Sequence, residues 1–408
     1  MSEALPSVPA QGARAAVLSA CALIMPGLAV YAPLGLAPLL AAAAILLLLA
    51  QRGRLAWPRD VALLTDLLVL LSLWATLSAA WSILPLHSLL EGLRLLLLSA
   101  GGLVLLGAAR ALDARQRARL GVAVAVGVAL AAALLLVEGL SDGALLGAVL
   151  RQPVRMTHFD RGSTVLVLSL WAAVIALGRH RVWALLLAVA AVVAVLLLPS
   201  AAATLALAVS AVVFPVAWHR PRIAALAVAT ATLVLALALP PLLPSDRGVV
   251  AIHEVAPWIK YSGIHRLMIW RFTADRIAER RFLGWGMDAS RELPGSHQDL
   301  AELYPRAGIM PDAEALPLHP HNAALQWRVE LGLPGALLCA AIVCWAVWRV
   351  ARAPGLSPPY RAGALAWIAA ALVIGMLSYG AWQAWWLSCL WLMAALYAGV
   401  ADPATSEA

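Results

Sequence analysis

Long apolar segments constrain the fold of this chain more than any other feature. Runs of about 18 or more residues with almost no charge can cross the hydrocarbon core of a bilayer as helices. Hydrophobic residues make up 63% of the chain and charged residues only 12%, whereas a soluble domain has about 25% charged residues. The sequence therefore predicts an all-α polytopic membrane protein that forms one membrane domain over residues 1–408. The predicted spans, about twelve in number, are approximately 14–31, 34–50, 61–80, 88–109, 120–140, 163–178, 182–199, 201–217, 223–243, 322–348, 362–379 and 382–400.

The basic residues give this domain an orientation. The net charge is +8 and almost all of it comes from arginine, since Lys260 is the single lysine. In a soluble protein such a charge would suggest nucleic acid, but here the arginines concentrate in alternate short loops, for example 110–119, 179–181, 220–222 and 349–361. By the positive-inside rule those loops and both termini are cytoplasmic. We therefore expect a membrane lipid environment and no nucleic-acid partner.

The alternate connections, around residues 31–34, 81–88, 140–161 and 244–320, are then predicted to face outward, and two outward segments stand out. The first covers residues 138–161, and the second, residues 244–320, forms a long polar loop inserted between spans 9 and 10. Within the second, Ser262–Phe282 lacks proline and predicts a helix, which the sequence Leu283-Gly-Trp-Gly286 should end because glycine disfavours helix continuation.

A histidine lies where this loop meets the tenth span. Neutral imidazole is the natural general base near neutral pH, so His321 is the first candidate for catalysis. Pro320 suits a helix that starts at once, and in such a helix Leu325 and Arg328 would share one face with His321. Arginine two turns into a membrane helix is costly and points to function. A capping role for His321, or His319 as the base instead, are the alternatives.

Outward-facing arginines are the second group of candidates, because the guanidinium fork binds phosphate oxygens in pairs. Arg271 and Arg276 have acidic neighbours one helical turn away and can form solvated ion pairs. Arg266 has no such neighbour, and Arg161 opens the sixth span. These two are therefore the preferred anion contacts, with Arg155 as a further candidate.

Metal chemistry has little support in the sequence. The chain contains no His-Glu-x-x-His or Asp-x-Asp motif, and Cys21, Cys339, Cys344 and Cys389 lie in apolar runs. The nearest carboxylate pair is Asp312 and Glu314. We expect no metal site and no cofactor.

Two motifs resemble those of a known family. His321-Asn322, nine residues and then Gly332-Leu-Pro-Gly335 is similar to the signature of bacterial O-antigen ligases. Trp74, Ser78 and Trp81-Ser82 resemble a segment in the third span of the O-antigen ligase and polymerase superfamily. About twelve spans and one long late loop are also similar, so the resemblance extends over the whole chain.

The resemblance implies an inverting, metal-independent glycosyltransferase of the GT-C-like membrane type. Such ligases act in lipopolysaccharide biosynthesis at the periplasmic face of the bacterial inner membrane. They move a polysaccharide from undecaprenyl diphosphate to lipid A–core. Carried onto this chain, the resemblance makes His321 the base and Arg161 and Arg266 the diphosphate ligands. The secondary candidates are Arg155, His319, Asn322 and Arg328.

Two other functions remain open at this stage. An O-antigen polymerase would use the same donor but a second lipid-linked glycan as acceptor. A lipid-glycan transporter would also have about twelve spans, but transporters concentrate ionisable residues near the bilayer midplane in symmetric halves. The first nine predicted spans hold few such residues, so the sequence favours a glycosyltransferase.

Overall fold

A computed structural model describes residues 8–51, 61–256, 258–259, 261–303 and 313–401 of the chain. Most of these residues lie in helices. In chain order the helices are α1 (Val8–Tyr31), α2 (Leu36–Ala50), α3 (Ala62–Leu77), α4 (Pro85–Arg110), α5 (Ala114–Leu140), α6 (Ala144–Leu150), α7 (Asp160–Ala176), α8 (Arg181–Leu197), α9 (Ala201–His219), α10 (Pro221–Leu237), α11 (Leu239–Leu242), α12 (Asp246–Val255), α13 (Tyr261–Glu279), α14 (Leu300–Leu303), α15 (Ala323–Ala351), α16 (Pro358–Leu377) and α17 (Ala384–Val400).

Many of these helices are long and apolar enough to cross a membrane. Within the described ranges, nine candidate spans have at least 18 residues, and α8, α10 and α17 are shorter apolar helices. The prediction of an all-α polytopic membrane protein is thus confirmed. The count of twelve spans stays a prediction, because three of the twelve helices are short for a bilayer of about 30 Å.

Alanine and leucine explain both the helices and their packing. Both residues have high helix propensity, and small alanine side chains allow membrane helices to approach closely. Helices α1, α5 and α7 share a buried core with α16 and α17, while α9 packs along α16 and α10 along α15. Large leucines such as Leu46, Leu97, Leu186 and Leu226 stay exposed on the outside of the bundle, as expected for side chains that meet lipid.

The segment between α10 and α15 packs on the start of α15. Helix α13 corresponds to the helix predicted over Ser262–Phe282. It ends at Glu279, just before the glycine-containing turn. Its buried residues Ile264, Met268 and Phe272 form a core with Leu316 and Val329. This core positions one face of α13 beside His321.

Helix α15 is broken at Gly332, and this break receives the turn that follows α13. Gly332 has a φ of +64° and a ψ of −161°, a backbone conformation that residues other than glycine rarely adopt. The backbone N–H of Trp285 donates to the carbonyl of Val329 at 2.9 Å, and that of Gly286 to the carbonyl of Glu330 at 2.9 Å. The N–H of Leu333 in turn donates to the carbonyl of Arg281 at 3.1 Å. The backbone groups released by the break are therefore satisfied by the turn.

The tryptophans of the third-span motif hold the same junction. The indole N–H of Trp74 donates to the carbonyl of Leu331 at 2.9 Å, and that of Trp81 to the carbonyl of Leu283 at 3.0 Å. The two indole rings also contact each other, with centroids 5.2 Å apart. Both motifs behind the family resemblance thus meet at the break in α15.

We expect Gly332→Ala to destabilise the protein strongly. A Cβ at this position would lie 1.9 Å from the carbonyl oxygen of Phe282, so the turn would have to leave the break and its hydrogen bonds would be lost. Thermal unfolding and the yield of monodisperse protein in detergent measure the effect. Gly355→Ala is the matched control, because Gly355 also has a positive φ of +75° but no atom within 4 Å of the added Cβ. The stability of that variant should fall only by the backbone strain of about 1–2 kcal/mol. Equal losses of stability in both variants would contradict the close-approach explanation.

Candidate active site

His321 lies just outside α15, in a strained backbone conformation. Its φ is +52°, and Asn322 is the N-cap of the helix, with its side chain accepting from the N–H of Leu325 at 3.1 Å. The helix therefore begins at Ala323, and the expectation that it starts at His321 is wrong. His321 consequently does not share a helical face with Leu325 and Arg328. The positive φ instead turns its ring away from the helix axis, toward the segment that joins α16 and α17.

One hydrogen bond sets the chemistry of the His321 ring. Its Nδ1 lies 2.6 Å from the carbonyl oxygen of Ser378. A carbonyl oxygen can only accept, so Nδ1 carries the proton and donates. In neutral imidazole the other nitrogen, Nε2, then keeps its lone pair and can take a proton from a substrate. This is the arrangement that a general base requires.

His319 supports the backbone of His321. It is buried, and its Nδ1 accepts from the backbone N–H of His321 at 3.1 Å. The two rings lie 4.3 Å apart. Burial, together with the neighbouring His321, Arg291 and Arg266, lowers the pKa of His319 to about 3. His319 thus remains neutral and fixes the turn, a role that fits positioning better than proton transfer.

Helix α13 brings a cation and an indole to the same turn. The indole N–H of Trp270 donates to the carbonyl of Pro320 at 2.9 Å, which holds the turn before His321 against the helix. One turn earlier, Arg266 is half-buried and interacts electrostatically with His321 and with Asp160. Burial lowers the pKa of Arg266, and Asp160 opposes that shift. The guanidinium still carries its charge, because its ordinary pKa is above 12.

Electrostatics keep His321 neutral as well. Burial lowers the pKa of His321, the hydrogen bond to Ser378 raises it, and the charges of Arg266 and His265 lower it further. The net shift is downward. The basic form of the imidazole is therefore the populated form at neutral pH.

Arg161 reaches the site from α7. Its guanidinium carbon lies 5.3 Å from the ring centroid of Trp385, a cation–π contact. Trp385 packs edge-on against Tyr379, with centroids 4.6 Å apart, and the hydroxyl of Tyr379 lies 3.1 Å from that of Thr164. The segment after α16 thus connects Arg161 to the carbonyl that holds His321.

The structure brings together three of the predicted site residues and separates two others. His321 and Arg161 contact the segment 378–385, and Arg266 interacts electrostatically with His321 and with Asp160, which also interacts with Arg161. Arg155 is exposed before α7. Arg328 lies further along α15 and interacts with Arg281 instead.

The sequence reasoning missed Glu330, a fully buried carboxylate in α15. It accepts from the backbone N–H of Asp288 at 3.0 Å, from the N–H and hydroxyl of Ser290, and from the indole N–H of Trp382. A single carboxylate in an apolar helix was a visible signal, since ionisable groups in spans mark functional or connecting positions.

Gln326 extends these contacts to the base. Its side-chain N–H donates to Glu330 at 3.1 Å, and its carbonyl oxygen accepts from the backbone N–H of Ala381 at 2.8 Å. Ala381 lies three residues after Ser378, the acceptor for His321. Glu330 and Gln326 therefore hold the segment that fixes the tautomer of His321.

A second polar group lies at the start of α4. The ligand atoms of His87, Glu91 and Asp288 lie within 4.8 Å of one another. His87 Nε2 is 3.0 Å from Asp288 Oδ2, and Glu91 forms an ion pair with Arg94. Because His87 pairs with Asp288 and Glu91 with Arg94, we interpret these residues as a clamp between α4 and the turn after α13. Of the carboxylates considered from sequence, Glu314 is exposed and Asp312 lies outside the described residues.

Comparisons with known proteins agree with this architecture. Residues 185–340 match the family model described as O-antigen ligase, a segment that includes α13 and His321. A Rickettsia conorii protein is 26% identical over 268 residues, covering 64% of this chain and 62% of the relative. A Rickettsia felis protein is 25% identical over 333 residues, covering 80% of this chain and 78% of the relative. A Rickettsia typhi protein is 34% identical over 135 residues, about a third of each chain. All three carry the provisional name polysaccharide ligase. The resemblance of this multi-pass membrane protein to the O-antigen ligase superfamily is therefore confirmed.

A base of this kind predicts a specific pH dependence. A reaction that needs neutral His321 should still run at more than half of its maximal rate at about pH 6.5, the ordinary pKa of histidine, because burial and the charge of Arg266 lower the pKa of His321. The rate should fall to half only below that pH. Initial rates in a series of buffers at constant ionic strength measure the profile. An acid limb centred above about pH 7 would show that His321 is not the titrating base.

Proposed function

We propose that this protein is a glycosyltransferase of the O-antigen ligase type, acting in lipopolysaccharide biosynthesis. It transfers a polysaccharide from undecaprenyl diphosphate to lipid A–core. The observation that carries the proposal is the hydrogen bond of 2.6 Å from His321 Nδ1 to the carbonyl of Ser378, because it leaves Nε2 as a base within reach of the charge of Arg266. The match to the O-antigen ligase family and the names of the Rickettsia relatives support the same reaction class.

The proposed reaction is one inverting displacement. Nε2 of His321 takes the proton of the acceptor hydroxyl as that oxygen attacks the anomeric carbon of the donor sugar. The bond from the anomeric carbon to the diphosphate oxygen breaks at the same time, and the electron pair leaves with undecaprenyl diphosphate. The products are the new glycosidic bond, the lipid diphosphate and a protonated His321, which then returns its proton to solvent.

Arg161 and Arg266 take the leaving group in this proposal. Negative charge grows on the diphosphate as the bond breaks, and preorganised cations stabilise it most where water is excluded. Both arginines are half-buried, and Asp160 interacts electrostatically with each of them. This negative charge would offset the repulsion between the two guanidinium groups until the diphosphate binds. No metal or other cofactor enters this mechanism.

The proposed location follows from the arginine-rich loops. The protein would lie in the bacterial inner membrane with both termini in the cytoplasm and His321 facing the periplasm. Residues 244–320 would form the periplasmic insertion of a single membrane domain with a GT-C-like arrangement. Both lipid-anchored substrates could then approach His321 from the outer leaflet.

Substitution of the two arginines should separate their role from general surface charge. Arg161→Ala and Arg266→Ala should each lower the transfer rate at least about 100-fold, because loss of one charge-stabilising donor typically costs 10²–10³ in rate. Lysine at either position should rescue poorly, since it cannot bind two phosphate oxygens with a planar fork. Arg276→Ala is the control, because Arg276 pairs with Glu279 at 2.9 Å on the surface of α13. Equal effects of all three substitutions in an in vitro transfer assay would rule out the diphosphate assignment.

The choice of acceptor decides between ligase and polymerase. Purified protein is incubated with polymer on undecaprenyl diphosphate, with and without lipid A–core, in the presence of EDTA. We expect polymer attached to lipid A–core and an unchanged length distribution of the donor glycan. Growth of the lipid-linked glycan without lipid A–core would favour a polymerase instead. Loss of transfer in EDTA that a divalent ion restores would point to the group of His87, Glu91 and Asp288.

A further inference from the structure

Arg328 is a half-buried arginine in α15 that the proposed reaction does not use. Its Nε is fully buried and, among the residues that the structure describes, has no hydrogen-bond partner. The charged group that acts on it is another arginine, Arg281. A half-buried cation in a membrane helix is costly, and no counter-ion for Arg328 lies among the described residues, so this position suits an anion supplied by a ligand.

The turn after α13 brings Arg281 within electrostatic reach of Arg328. The carbonyl of Arg281 accepts from the N–H of Leu333 at 3.1 Å, and the N–H of Trp285 donates to the carbonyl of Val329 at 2.9 Å. Residues 281–285 therefore run antiparallel to residues 329–333, with Trp285 opposite Val329, the residue after Arg328. The turn that enters the break at Gly332 thus carries the exposed Arg281 along the part of α15 that begins at Arg328.

Exposed apolar side chains flank this pair. Phe282 is 70% exposed and Leu283 is 46% exposed, directly after Arg281 in the chain. Large apolar groups next to arginines are typical of a surface that meets lipid headgroups and the acyl region just below them. Arg271 and Arg276 on the neighbouring helix α13 differ, because each has a carboxylate partner within 3 Å.

We propose that Arg281 and Arg328 form a second anion site, which binds a phosphate group of the anionic glycolipid acceptor. This inference rests on the proposed function, since it assigns the site to the acceptor of that reaction. Arg328 lies five residues, or about 7.5 Å, beyond the first residue of α15, whereas His321 precedes the helix, so this anion differs from the leaving diphosphate, which must lie at the reacting carbon. Phe282 and Leu283 contact the acyl chains below the phosphate, and the site holds the acceptor with its sugar directed toward His321.

Equilibrium binding tests the site without any need for catalysis. The full chain in phosphatidylcholine nanodiscs is titrated with lipid A–core and, in a parallel arm, with lipid A–core from which the phosphates have been removed. The wild type should prefer the phosphorylated form by about 10-fold or more, the ratio expected for one charge-assisted hydrogen bond. Arg328→Gln and Arg281→Gln should each lose most of this preference, and the paired control Arg276→Gln should keep it.

Two binding results would overturn the inference. The first is an unchanged preference for phosphate in both the Arg328→Gln and the Arg281→Gln variants. The second is equal competition by phosphatidylglycerol at the same concentration, which would make the pair a general phospholipid contact rather than an acceptor site. If the wild type binds as expected but transfers nothing, the proposed reaction fails while the anion site stands.

Thermal stability in lipid-free detergent separates binding from folding. Arg328→Gln removes a charge without a described partner, so its Tm should equal or exceed that of the wild type. Arg281→Gln changes an exposed side chain and provides the same binding test if the first variant folds poorly. A large fall in Tm for both variants would identify the pair as structural and would contradict the proposal.

Discussion

The break in α15 is the constraint on which the rest of this structure depends. A helix in a membrane can interrupt its own hydrogen bonds only where other groups satisfy the released backbone. Here the carbonyls of Val329, Glu330 and Leu331 are taken by the turn after α13 and by the indole of Trp74. The turn in exchange accepts from Leu333. This exchange attaches α13 to α15 at one end and leaves its other end beside His321.

The geometry of the base follows from that attachment. With α13 docked, Trp270 holds the carbonyl of Pro320 and Arg266 approaches the imidazole from one side. From the other side, Glu330 and Gln326 hold the segment after α16, whose Ser378 carbonyl determines which nitrogen of His321 carries the proton. The catalytic proposal therefore depends on the turn before His321 and on the segment after α16, both of which are held in place by contacts that involve α15. A buried carboxyl group is well suited to this task, because it accepts several hydrogen bonds at once. Removal of any donor would leave a buried polar atom unpaired and would lower the stability of the fold.

The helices were predictable from sequence and several contacts between them were not. Apolar runs bounded by arginine or proline are long and regular, so the positions of most helices follow from composition alone. Asn322 is a favoured N-cap residue. That local signal could have placed the start of α15 at Ala323, with His321 outside the helix. The convergence of Arg161 and Arg266 depends on packing between helices far apart in the chain, and no local pattern reports it. The family motifs identified Trp74 and Gly332 as positions of interest, whereas their role as donor and break is visible only when the turn after α13 is in place.

The most direct measurement of the central claim is the rate of polysaccharide transfer by His321→Ala and His321→Gln in purified protein of verified fold. If Nε2 of His321 is the general base, both variants should lose about 10²–10⁴-fold in rate, with the thermal stability of the wild type retained. Glutamine should not rescue, because its side chain can donate a hydrogen bond to the Ser378 carbonyl but cannot take up a proton at neutral pH. A folded variant that retains more than about a tenth of the wild-type rate would contradict the account, since base catalysis contributes far more than that factor.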